Sequence, residues 1–250
     1  MNVFHIAWRE LRATFTTAVG WLVLCGWLLI TGAFWIVAVM SYVVQSQDLV
    51  FNPYAASELT FVNYLFPAYF GNCAVVLVIV TPAISMRLFS EEVKQRTLEL
   101  LLTSPVSTLE IVLGKYLGAL AVLGLMLIGT LHGPLGLYLW ADVDPGPLFG
   151  SYLALGLLGA ALLAMGMFGS ACTPNQVVAM VFTVAVALGL LILQFASSTP
   201  GDWLDQLSLI GHMPDLVRGA IKLSDIVYYL AFTGLFLFAT HQRMETFRWR

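Results

Sequence analysis

The stretch SEEVKQRTLELLLTSPVS, Ser90 to Ser107, decides the fold, because it is the one dense run of charge in a chain that otherwise avoids charge. Before it stands the apolar run VVLVIV (75–80), and after it the chain turns apolar again through Trp140. Of the 250 residues, 60% are hydrophobic and 10% charged, with a mean hydropathy of +0.88. Soluble domains carry about 25% charge, so the sequence reads as an integral membrane protein, and the charged run must lie where the chain leaves the bilayer.

A crossing helix needs about 20 apolar residues. Six segments supply them: Val19–Val44, Leu65–Ile84, Leu113–Trp140, Leu148–Ser170, Val177–Ala196 and the shorter Ile226–Thr240. Six crossings put both termini on one side. With that side inside, Arg9, Arg12, Arg87, Lys94, Arg96, Lys115, Arg243, Arg248 and Arg250 are cytoplasmic, and only Arg218 and Lys222 face out. Eight of the fourteen acids face out: Asp48, Glu58, Asp142, Asp144, Asp202, Asp205, Asp215 and Asp225. This distribution obeys the positive-inside rule. No cleavable leader is expected, because Arg9, Glu10 and Arg12 interrupt the first apolar residues. Cys25, Cys73 and Cys172 lack disulfide or metal spacing and read as small core residues.

The ends of the spans have their own character. Phe4, Trp8, Leu11 and Phe15 recur at helical spacing opposite His5, Arg9, Arg12 and Thr16, which predicts an amphipathic helix in the cytoplasmic interface over residues 1–18. The segment 197–225, with Gly211, Pro214 and Gly219 among apolar residues, predicts short helices dipping into the outer leaflet. Gly156, Ala160 and Ala164 form a small-residue stripe suited to close helix packing. His132 is the one ionisable residue expected at membrane depth, Lys115 being counted with the cytoplasmic charge. With so few intramembrane ionisable groups, neither ion-coupled transport nor voltage sensing is expected. His132, before Gly133 and Pro134, is a candidate gate or substrate contact whose simpler role is satisfaction by freed carbonyls.

The charged run itself reads as a short cytoplasmic helix. Ser90 caps it, Glu91 and Glu92 fill its first turn, Glu92 precedes Arg96 at ion-pair spacing, and Pro105 stops it. Ser107 and Glu110 then match a capping box opening the next helix. The region 86–112 is thus a rigid element clamped between two crossings.

EEVKQRTLELLLTSPVSTLEIVLGKYLGAL resembles the coupling region of ATP-binding cassette export permeases of the second type. The opening IAWRELRATFTTAVGWLVL is similar to the amphipathic start of that superfamily. PNQVVA and LSLIGHMPDLVRGAIKLSDIVYYL resemble its gliding-motility permease-like branch. The resemblance covers nearly the whole chain. It implies an all-α membrane protein, a single permease domain over 1–250, two copies of the permease as a homodimer, and two copies of a separate ATPase carrying ATP and Mg. This chain binds no cofactor under that reading and has no GxxxxGK[ST] phosphate loop. By resemblance Glu91, Glu92, Arg96, Thr97, Leu98, Glu99, Leu101 and Pro105 form the ATPase contact. His212, Arg218 and Asp225 fall in a region implied to close the exit, where Arg218 is a candidate partner for Asp215, Asp225, a substrate anion or a lipid headgroup. Asp225 is also expected to cap the sixth crossing. Membrane lipids and an extracytoplasmic accessory protein are further expected partners, nucleic acid is not, and a bacterial inner membrane is the expected location.

Two other readings fit parts of the sequence. A non-transporting sensor driven by an ATPase would keep the same coupling helix. EEVKQR also matches the EExxxR signature of CAAX-type intramembrane proteases, but the FxxxH and HxxxN or HxxxD motifs are missing at membrane depth, leaving the glutamates no means of positioning water.

Overall fold

Four of the crossings open on a local signal. In the computed structural model, residues 3–48, 59–97, 106–139, 141, 143–196 and 206–248 are described. Helix α1 (Val3–Thr16) bends at Thr17 into α2 (Ala18–Asp48). A π-helical turn at Phe61–Leu65, capped by the Thr60 hydroxyl, feeds α3 (Phe66–Ser85) and then α4 (Arg87–Lys94). The predicted capping box opens α5 (Thr108–Thr130): Ser107 Oγ accepts from the Glu110 amide at 3.2 Å, and Glu110 accepts from the Ser107 amide at 3.0 Å. A short α6 (His132–Leu137) follows. Asp144 caps α7 (Pro145–Cys172), with proline at the first helical position where its missing N–H does no harm. Asn175 accepts from the Val177 amide at the start of α8 (Gln176–Ala196). Helices α9 (Met213–Val217) and α10 (Leu223–Arg248) complete the chain. No strand occurs among the described residues.

Six helical stretches are long and apolar enough to cross a membrane: Ala18–Gln47, Phe61–Lys94, Thr108–Leu137, Pro145–Cys172, Gln176–Leu193 and Leu223–Phe247. All six shift somewhat from the expected bounds, and two differ most. The second runs on through Lys94, and the sixth is a full-length helix rather than a short one. The sixth looked short because His241 to Arg248 is polar while remaining helical, so hydropathy marks only its apolar middle.

Helix α7 is the axis of the bundle. It packs against α3, α4, α5, α8, α9 and α10, and 67% of its apolar window is buried, against 17% for α2 and for α8. Lipid tails are as apolar as leucine, so close packing and hydrogen bonds must hold such a bundle together. Small residues provide the closeness; of the expected stripe, Ala164 is fully buried whereas Gly156 has room to spare. A Cβ on Gly156 would meet only Leu127, at 3.9 Å. One on Gly159 would lie 2.6 Å from Leu123, one on Gly166 1.9 Å from Ser85 Oγ, and one on Gly150 2.2 Å from the Leu216 carbonyl oxygen. The glycines of α7 that meet neighbours closely are therefore Gly150, Gly159, Gly166 and Gly169, the last 2.7 Å from Thr183 Oγ1. Aromatic edges fill the middle of the bundle, with Tyr69 against Trp35 and Phe70 against Tyr152.

Candidate functional site

The end of the bundle that carries α1, α4 and the start of α5 holds a charged cluster built around Lys115. Two glycines make it. A Cβ on Gly114 would fall 2.7 Å from Ile6 Cβ, and one on Gly118 would fall 2.7 Å from Glu10 Cβ and 2.9 Å from the Ala7 carbonyl oxygen. The bare backbone of α5 thus lets α1 lie directly on it through Val3, Ile6, Ala7 and Glu10, the GxxxG logic of membrane helix pairs. Phe4 and Trp8 stay exposed on another side of α1.

Lys115 lies between those glycines and is 2% exposed. A buried ammonium is tolerated only when paired and hydrogen-bonded. Its three donors find three acceptors: Glu10 Oε1 on α1 at 2.9 Å, Glu92 Oε1 on α4 at 2.8 Å, and the Leu88 carbonyl of α4 at 2.7 Å. The Phe89 ring lies 5.2 Å from the nitrogen. Arg9 approaches both carboxylates, at 3.6 Å from Glu10 and 4.0 Å from Glu92, so two cations face two anions. Lys115 is therefore part of the bundle rather than a solvated cytoplasmic charge.

Helix α4 is held at its other side by a serine from far along the chain. Pro82 lies near the end of α3, and the chain turns at Met86 before α4 begins. The first amides of α4 have no partner within their own helix. Ser170 of α7 supplies one: its hydroxyl accepts from the Phe89 and Ser90 amides, both at 2.9 Å, and donates to the Met86 carbonyl at 2.8 Å. Ser90 Oγ donates to the Ser170 carbonyl at 2.9 Å. All of the hydroxyl capacity of Ser170 is used.

This arrangement corrects the expected coupling helix in three ways. Ser90 is not a cap but a buried residue inside α4. Glu91 and Glu92 occupy the end of that helix, not its first turn, because α4 follows α3 with only Met86 between them. Glu92 binds Lys115 rather than Arg96, since the helix has already ended. The Arg96 amide donates to Val93 O at 3.3 Å and the Thr97 amide to Glu92 O at 3.0 Å, a Schellman end with Arg96 in the left-handed position at φ 55°. Helix α4 thus stops well before Pro105. Leu98, Glu99, Leu101 and Pro105 of the expected contact lie outside the described residues. Glu91, Gln95 and Thr97 are exposed, and Glu91, Glu92 and Thr97 border a cavity of about 670 Å³ between α1 and α4, which Arg9, Glu10, Thr17 and Arg87 also line.

The other candidate residues stand at the opposite end. His132 is exposed at the start of α6 and its Nδ1 donates to the Gly129 carbonyl at 2.8 Å, the simpler of its two expected roles. His212 Nδ1 is 2.9 Å from Asp225 Oδ1, its Nε2 is 3.1 Å from the Gln206 carbonyl, and its ring stacks on Tyr228 at 4.1 Å. Asp225 is buried within the first turn of α10, so it ties the 206–212 segment to that helix instead of standing at the cap position. Arg218 pairs with neither Asp215 nor Asp225. It is exposed and forms no ion pair among the described residues, because Lys222 takes Asp215. That contact holds the Lys222 ammonium above its ordinary range. Gly219, at φ +84°, closes the end of α9 by the same Schellman pattern, its Cα side pressed on Pro147. Among the described residues no group of three His, Cys, Asp or Glu side chains could hold a metal ion.

Sequence reasoning missed Glu10, Lys115 and Ser170. Lys115 left a signal in GKYLG, a small-xxx-small motif with a lysine inside it at the start of an apolar span. Ser170 left none.

The sequence model of one family, described as ABC-2 family transporter protein, matches residues 4–242. No curated protein matches the chain.

Proposed function

We propose how this chain, which belongs to the ABC-2 transporter family and is the multi-pass permease subunit of an ABC transporter, receives and uses its energy. A separate ATPase binds the end of the bundle that carries α1 and α4, and its cycle drives export through two copies of the permease. In this reading both termini are cytoplasmic, the membrane is a bacterial inner membrane, and the chain sits in the gliding-motility permease-like branch. The segment from Gln95 through Pro105 is the contact, with Glu91, Arg96 and Thr97 at its root. Arg218, exposed and unpaired at the opposite end, is the residue open to a substrate anion or an accessory protein at the exit.

One observation carries the coupling reading: α4 is fastened to three other helices. Ser170 joins it to α7, Lys115 joins it to α5, and Glu10 joins that lysine to α1. A load applied just beyond Lys94 is therefore delivered to the axis of the bundle. The protease reading loses its glutamate pair, since Glu92 is engaged by Lys115 and no histidine lines the neighbouring cavity.

The test is co-purification with an ABC ATPase subunit, followed by Glu91→Arg. Glu91 is exposed and stands outside the Lys115 cluster. The variant is expected to insert and fold normally while losing the complex or its permease-stimulated ATP hydrolysis. Unchanged assembly and unchanged hydrolysis would count against the contact.

A further inference from the structure

Among the described residues, Lys115 and Asp225 are the buried charged side chains, and Lys115 alone joins three helices. Its position is unusual in what surrounds it. Helix α1 rests on α5 through Gly114 and Gly118 with no room to slide inward. Toward α4, by contrast, α1 faces the cavity of about 670 Å³ that both helices line. The two helices are bridged across that gap by charge: Glu10 from one side, Glu92 and the Leu88 carbonyl from the other, and the Lys115 ammonium between them. Arg9 adds longer contacts from an exposed position.

We infer that Lys115 is a positioning residue of energy transmission, locking α1 to α4 so that both move as one body when the ATPase loads the segment beyond α4. The inference rests on the coupling reading above and deepens it by adding α1 to the moving part. Three points support it. All three ammonium donors are committed, so the nitrogen cannot shift toward one partner without abandoning another. The lysine stem leaves an α5 backbone that is itself in contact with α1, which leaves the side chain little freedom. Across the gap otherwise run only exposed contacts, Arg9 to Glu92 at 4.0 Å and Arg87 to the Thr17 hydroxyl at 3.3 Å, so removing the ammonium takes away the one buried tie and leaves two carboxylates facing each other.

The consequence is mechanical. Helix α1 carries Phe4 and Trp8 outward and continues through Thr17 into α2. Motion of α4 would thus reach the first crossing through α1, and reach α3 and α7 directly.

Spin labels at Arg12 and Lys94, both exposed, test this in the assembled complex after replacement of Cys25, Cys73 and Cys172. Distances are measured without nucleotide and with ATP plus vanadate. The native cluster is expected to give one narrow distribution, the same in both states. Glu10→Ala removes the α1 arm while Lys115 keeps both contacts to α4, so it preserves the fold where Lys115→Met endangers it. In Glu10→Ala the distance is expected to match the native value without nucleotide and to shift and broaden only with ATP plus vanadate. A native distance that itself changes with nucleotide would overturn the inference. So would a Glu10→Ala distance identical to native in both states, or one displaced equally in both, which marks a static anchor. Failure of the ATPase to assemble with the native permease would instead strike the coupling reading and take this inference with it.

Discussion

Arg96 shows how a local rule and a functional position meet in one residue. The Schellman end of α4 places it at φ 55°, where glycine is the residue without a steric penalty. Holding a side chain there costs on the order of 1 kcal/mol. Arg96→Gly is therefore expected to leave α4 intact and raise the thermal midpoint in detergent, by up to about 1 kcal/mol of stability. If Arg96 touches the ATPase, as proposed, stimulated hydrolysis falls in the same variant. A lower midpoint would mean that the arginine side chain holds the fold. Residue-scale reading of the sequence fails in this region for a physical reason. Ser90, Glu91 and Glu92 form a convincing local cap pattern, yet their partners are Ser170 and Lys115, which sit 80 and 23 residues further along the chain in Ser90 and Glu92 order. Pairings of that kind cannot be read from a window of neighbours. The capping box of Ser107 and Glu110 is closed by adjacent residues and was legible for that reason.

At the scale of elements, helix packing sorts the glycines into those that need to be glycine and those that do not. Gly150 carries α9: an added Cβ would stand 2.2 Å from the Leu216 carbonyl oxygen, a backbone atom that cannot rotate away. Gly150→Ala is expected to displace α9 and lower stability by about 1–3 kcal/mol. Gly156→Ala has room, with Leu127 at 3.9 Å, and gains up to about 1 kcal/mol of helix propensity. Comparing the two thermal midpoints in detergent checks the assignment, and equal midpoints would show that α9 does not rest on α7 there. The sequence made the helices legible but not these contacts. Hydropathy reports the apolar length that a crossing requires, so all six spans could be read. It says nothing about which small residue meets a neighbour, and the four-residue spacing that picks out Gly156 passes over Gly150, Gly159, Gly166 and Gly169. The GKYLG contact beneath α1 escaped for the same reason: the amphipathic pattern of α1 marks Phe4 and Trp8, whereas the face that meets α5 is Val3, Ile6, Ala7 and Glu10.

Over the whole molecule the two ends of the bundle have opposite characters. One gathers Arg9, Arg87, Lys94 and Lys115 around α4, with Glu10 and Glu92 locked between them. The other carries Asp144, the His212 and Asp225 pair, and exposed Arg218. Family membership was legible because the charged run and the six spans come in a fixed order, and the proposed coupling puts the ATPase on the first of these ends. A photo-crosslinking residue placed at Glu91, and in a separate variant at Lys222, checks this in cells expressing the permease with an ABC ATPase. Irradiation is expected to trap the ATPase from position 91 and not from position 222. Trapping from position 222, with none from position 91, would contradict it.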